Sequence, residues 1–370
     1  MGTGARENPG LRSGGDLLNL QPVEKIAEAV LYEGYMLYPY RPSSVKNQQR
    51  WNFGVLYPMD YCEQHGGLEP FSMQTECLLK ADSSTRLTVK VRCLQVVQRS
   101  IGKLSAGAVE VREGQEPDIE LVDRLELCGR VYQPWQEAVE RECSYDALDL
   151  AALTSTPQPF LFPQGKSLEY LHDENDELAG AIVREWTALE GSVQIESERC
   201  RDAVVKVKVV VKNVKPLDSA IEIENASREA ILLDSLVSAH TILGAENGEF
   251  ISLLEAPAGF DDLAAACKNI GTWPVLAGEG TSTMLSSPII LYDHPQIAPE
   301  SVGNLFDSTE IDEILSLRIL TLTDAEKREM RQSDDRTRGI LERTENMPEE
   351  QFMKLHGVLR GLTPLKEEMQ

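Results

Sequence analysis

The chain has 370 residues and 42% hydrophobic residues, enough for one large or two moderate packed domains. Thirty-six Lys and Arg against 60 Asp and Glu give a net charge of −24, a surface that repels phosphate backbones and anionic membranes and suits a basic partner. Nucleic-acid binding and a membrane role are therefore not expected, and no run of about 20 apolar residues is present to span a bilayer.

The seven cysteines, at 62, 77, 93, 128, 143, 200 and 267, are odd in number, widely spaced and without a C-x-x-C pair. That argues against a disulfide framework or a zinc ribbon and for buried thiols in a reducing compartment, so a cytoplasmic location is expected.

In chain order, residues 1–20 begin Gly-rich and polar and read as a disordered leader. Val23, Ile26, Ala27, Val30 and Leu31 have helical spacing. Residues 86–98 alternate polar and apolar as a half-buried strand does. Residues 102–117 suit a loop or hairpin, residues 119–139 another strand or two, and residues 144–153 a short helix or turn. The Pro-rich stretch 154–165 is the best internal boundary. Residues 181–198 and 203–215 form the strongest strand pair. Valines interleave with Lys206, Lys208, Lys212 and Lys215, as on a sheet with one wet face, and the lysines can also blunt an edge. Residues 228–243 are partly helical, 261–269 form a short helix, 271–281 a Gly-bounded loop and 287–292 a last buried strand. Thr323 and Glu326 have the spacing of a capping box ahead of a mostly charged helix that protrudes or rides on a partner.

Two segments carry candidate chemistry. Residues 32–61 are dense in aromatics, and Arg41, Lys46 and Arg50 form a basic island without acids in an acidic chain. Tyr38, Tyr40, Arg41, Lys46, Arg50 and Trp51 suit a docking surface, where Tyr, Trp and Arg carry binding energy, or an anion pocket. The plainer reading is core aromatics with cations paired to the acid-rich remainder. In the second segment Asp293, His294, Glu300 and Glu310 could ligate a divalent metal, although their spacing matches no established ligand frame. The plainer reading is a structured turn and a helix start favoured by Asp307 and Glu310, and Asp293 and His294 could instead be a hydrogen-bonded pair that braces the turn. No P-loop or G-x-S-x-G elbow is present.

Three runs carry a family resemblance: EGYMLYPYRPSSVKNQQRWNFGVLYP, GTWPVLAG, and SSPIILYDHPQIAPES followed by LFDSTEIDEILSLRILTLTDAEKREM. They resemble an uncharacterised bacterial family encoded beside uptake-type nickel–iron hydrogenases and their maturation proteins. The resemblance implies a cytoplasmic accessory factor with a hydrogenase subunit or maturation factor as partner, and it brings no catalytic residues with it.

The expected fold is α+β, an antiparallel β-rich core of one or two layers, sandwich-like, with a helical C-terminal arm. The expected regions are 1–20, 21–155, 156–305 and 306–370. The expected function is non-enzymatic assembly by protein docking, with no cofactor. The alternative is a metal-binding enzyme or metal-delivery protein built on residues 293–313.

Overall fold

A computed structural model describes residues 18–32, 52–104, 117–201, 203–217, 227–296, 319–331, 335–346 and 348. The chain opens with α1 (Gln21–Tyr32) and α2 (Met59–Gln64), then β1 (Ser72–Lys80), β2 (Arg86–Leu104), β3 (Ile119–Val122), β4 (Leu125–Leu127), β5 (Arg130–Tyr132) and β6 (Trp135–Asp149). There follow β7 (Gln158–Phe162), β8 (Gly165–His172), β9 (Leu178–Trp186), β10 (Leu189–Arg201) and β11 (Val204–Asn213). Next come α3 (Arg228–Leu232), β12 (Val237–Glu246), β13 (Glu249–Ile251), α4 (Asp261–Ala265), β14 (Trp273–Leu276) and β15 (Thr283–Ser287). The last described helices are α5 (Asp324–Arg331) and α6 (Asp335–Glu345). The expected α+β architecture is observed, with antiparallel sheets predominating.

The first sheet has the order β13-β1-β11-β10-β7 and the second β14-β15-β12-β2-β9-β8, with β6 and β3 also on β2. Strands from residues 21–155 and 156–305 share both sheets, since β1 pairs with β11 and β2 with β12. The period of two places Cys77 and Leu79, Val207 and Val209, Leu87 and Val89 in one central cluster fed by both sheets. Burial of each such side chain contributes about 1.5–3 kcal/mol.

On the first sheet's other face Lys206 pairs with Glu198 at 2.9 Å and Lys208 with Glu196 at 3.5 Å. The wet, lysine-lined face is as expected. The edge-guarding role is not, because β11 lies between β1 and β10 and has no free edge. The second sheet's outer face is roofed by α1, whose Val23, Ala27 and Val30 pack on Ile242 and Leu285. β12 is therefore buried on both sides.

A polar seam crosses the interior. The Thr75 and Ser286 hydroxyls are 2.7 Å apart, as are those of Ser286 and Thr272, and Thr272 donates to the Ser287 carbonyl at 3.1 Å. Each hydroxyl has one proton, so the terminal carbonyl sets the direction: Thr75 donates to Ser286, and Ser286 to Thr272.

Several local expectations are corrected. Residues 144–153 continue β6 to Asp149 before a 3-10 turn at Leu150–Ala152, because β2 extends far enough to keep the ladder paired. The stretch 154–165 contains strand β7, which pairs only with β10, so Pro159 is tolerated there. The last strand is β15, ending at Ser287, and residues 288–292 follow it as irregular chain. The capping box is present: the Thr323 amide donates to Glu326 at 2.7 Å, and the Glu326 amide to the Thr323 hydroxyl at 3.3 Å. The charged helices do not simply protrude. Met330 and Leu341 are buried with Ile319, Tyr57 and Leu94 in a second cluster. Among the described residues no helix is long and apolar enough to cross a membrane.

Candidate functional site

Tyr38, Tyr40, Arg41, Lys46, Arg50 and Trp51 lie outside the described residues. Of the same aromatic stretch, Phe53, Tyr57 and Tyr61 have described side chains, and the two tyrosines are buried while Phe53 is half-buried. Arg228 donates to the Tyr57 hydroxyl from two nitrogens, at 2.7 and 3.0 Å. Burial holds the Tyr57 phenol above its ordinary pKa against the opposing pull of Arg228. This end of the stretch is core.

The chain rejoins the described fold at Asn52 and is tied at once to β12. Ser238 and Ala239 donate their amides to the Phe53 and Gly54 carbonyls, and Leu56 and Leu236 exchange two backbone bonds at 2.9 and 3.1 Å. Gly54 has φ +55, and a Cβ there would lie 2.6 Å from Pro288, so only glycine fits. β12 answers with a bulge, where its register on β2 shifts between Val237 and His240 and Ser238 sits at φ +53.

His240 follows the bulge and is fully buried. Its Nδ1 lies 2.9 Å from the Ser238 carbonyl, so Nδ1–H donates and Nε2 keeps the lone pair. Burial, with the Arg92 charge adding to it, pushes the imidazole down to about 4 from an ordinary 6.5. The unfolded chain therefore binds one more proton than the folded chain between those values. The His240 contribution to stability falls as pH drops from 6.5 towards 4, by about 1.4 kcal/mol per unit at most, and is constant above. Urea unfolding between pH 7 and 5 should show this slope, and His240→Leu should abolish it. An unchanged slope in the variant would remove His240 as its source.

The seven cysteines are free. Burial pushes the thiols of Cys62, Cys143 and Cys267 up to about 11, and those of Cys77 and Cys93 higher still. Such thiols are weak nucleophiles and poor metal ligands at neutral pH.

Asp293 and His294 are described; Glu300 and Glu310 lie outside the described residues. Both Asp293 oxygens are engaged. One accepts the Leu276 amide at 2.8 Å and the other accepts the Ser252 hydroxyl, which itself accepts the Glu255 amide at 2.8 Å. The His294 amide donates to the Leu276 carbonyl at 2.7 Å, and its Nδ1 lies 3.2 Å from the Gly278 carbonyl. Ser252, Asp293 and His294 thus do not form a relay, because the serine meets the carboxylate directly and the imidazole points elsewhere. Among the described residues no three His, Cys, Asp or Glu side chains gather as metal ligands would.

This turn closes the outer edge of β14. The Leu276 amide and carbonyl face outward and are both capped, and the next outward position on the strand, two residues back, is Pro274, which has no donor. The residues leading to the turn alternate. Ile289 and Leu291 pack against the α1 cluster, whereas Ile290 is 71% exposed and Tyr292 88%. The Ser287 hydroxyl donates to the Ile289 carbonyl at 2.6 Å and accepts its amide at 3.2 Å, so the segment is held at both ends. Two large side chains are thereby fixed on a rigid strip and turned outward. Sequence reasoning missed them because the apolar run 289–292 has the composition of a buried strand. Its flanking prolines, Pro288 and Pro295, were the available signal that it leaves the sheet. No protein-family model and no curated protein matches the chain.

Proposed function

We propose that this chain is a non-enzymatic, cytoplasmic accessory protein that acts by docking onto a protein partner, a subunit or maturation factor of a nickel–iron hydrogenase. The observation that supports docking is the strip carrying Ile290 and Tyr292, exposed yet pinned by Ser287, Asp293 and His294. A pre-ordered apolar and aromatic pair loses little conformational entropy on contact, which is what the dominant residues of an interface need. The hydrogenase setting comes from the family resemblance. The basic aromatic run from Tyr38 to Trp51 joins the reading on sequence grounds.

The test is quantitative co-purification from cells that express the hydrogenase genes. The double variant Ile290→Ala, Tyr292→Ala should retain the melting temperature and lose at least about 30-fold in partner recovery, the effect of roughly 2 kcal/mol at an interface centre. Undiminished recovery would overturn the role of the strip. Stoichiometric metal on the purified chain, lost in His294→Ala, would replace docking by metal delivery.

A further inference from the structure

We propose that the open edge of β6 receives an extended segment of a partner protein, added as a further antiparallel strand and carrying alternating basic and aliphatic residues. The proposal rests on the docking reading only in taking the occupant to be protein, and it uses a different surface.

The described sheet edges differ in length. β13 has three residues, β3 and β14 four each with β14 sealed as described, β7 five with Pro159 among them, and β8 eight with a register shift at its end. β6 has 15 residues, roughly 50 Å of strand. One side of it pairs with β2 without interruption from Glu137↔Val97 to Tyr145↔Val89. Between residues 138 and 145 no described hydrogen bond reaches its other side, and no proline or register shift interrupts the strand. Such an edge is a template for strand addition.

The side chains flanking the edge specify the guest. On one face Glu140 and Glu142 stand over Arg92 and Lys90, to which Glu24 is also paired, and Asp146 lies further along the strand. Acids outnumber bases there, in a chain of net charge −24. On the other face Arg141 donates to Gln95 at 2.7 Å and lies over the Phe162 ring, while Cys143 and Tyr145 pack on the central cluster beside Phe160. A strand laid along β6 would thus meet mainly carboxylates on one face and, beside Arg141, apolar side chains on the other. Lysine or arginine alternating with valine or leucine matches both rows, whereas a second copy of β6 would bring its own glutamates against these.

Hydrogen–deuterium exchange of the full chain tests this with a decapeptide of alternating Lys and Val, and one of alternating Glu and Val as control. In the free chain, alternate amides over residues 138–145 should exchange as open-edge amides do. The basic peptide should slow them at least about tenfold, more weakly in high salt, and the acidic peptide should not. Glu142→Lys and, separately, Asp146→Lys should each weaken that protection, and Ile290→Ala, Tyr292→Ala should leave it intact. Amides already protected in the free chain, no protection by the basic peptide, or equal protection by both peptides would each overturn the proposal. Protection that appears with a doubling of mass in light scattering would assign the edge to a second copy instead.

Discussion

Replacing Glu137 by leucine should cost about 3–5 kcal/mol of stability, the loss expected when one member of a buried ion pair is removed. One Glu137 oxygen accepts from Arg99 at 3.3 Å and the other from Arg184 at 2.6 Å, and Arg184 reaches on to Glu169 at 2.8 Å. The Arg99 side chain is 3% exposed and that of Glu137 13%. Burial holds the Arg99 guanidinium below its ordinary pKa, and Glu137 opposes that fall. The network stands where β2 exchanges one neighbour for another: its first half pairs with β12 and its second half with β9. It ties β2, β6, β9 and β8 at that crossing. Urea denaturation measures the effect. Glu137→Gln should cost less, since its amide oxygen still accepts. Arg99→Met combined with Glu137→Leu should recover part of the loss, because both members of the pair are then removed together. A change below about 1 kcal/mol in the single leucine variant would mean that water already screens the network.

Asn213→Ala should cost about 3 kcal/mol, several times the effect of a single exposed hydrogen bond. The Asn213 side chain is buried and satisfies three backbone groups. Its amide donates to the Leu56 and Asp234 carbonyls, each at 2.9 Å, and its oxygen accepts the Lys215 amide at 3.0 Å. Alanine strands the Asp234 carbonyl and the Lys215 amide and removes one of the two donors to the Leu56 carbonyl, the Leu236 amide remaining. Asn213→Asp should be no better, because a carboxylate cannot donate to a carbonyl. Since Leu56 is the anchor for the chain returning at Asn52, hydrogen exchange should rise first at the Leu56–Leu236 bridge. Unchanged exchange there would contradict the role assigned to the side chain.

The parts legible in the sequence are those governed by local period. The valine–lysine alternation of β11 shows one dry and one wet face, the spacing of α1 shows its buried stripe, and the Thr323–Glu326 box marks a helix start. Where a non-local partner decides, local signals mislead. Residues 144–149 stay extended because the 19-residue β2 runs beside them, and the lysines of β11 guard no edge because β1 lies on one side and β10 on the other. Charge content described the C-terminal helices as solvent-facing, yet Met330 and Leu341 suffice to seat them on the core. Of the candidate site residues, Asp293 and His294 stand in a structured turn, as in the plainer reading, but they brace it through Leu276, Ser252 and Gly278 and not as a pair bonded to each other. Ile290 and Tyr292 were not legible, because only the turn that follows decides which side of the strip faces out. Asn213 and Glu137 were equally hidden, since their partners lie up to 157 and 47 residues away in sequence.

The most direct measurement of the docking claim is photocrosslinking from position 292, with a benzoylphenylalanine in place of Tyr292, in cells that make the hydrogenase and its maturation proteins. Docking through this strip predicts one dominant adduct, to a hydrogenase subunit or maturation factor, suppressed by Ile290→Ala. No adduct when those proteins are present, or adducts spread over unrelated proteins, would contradict it.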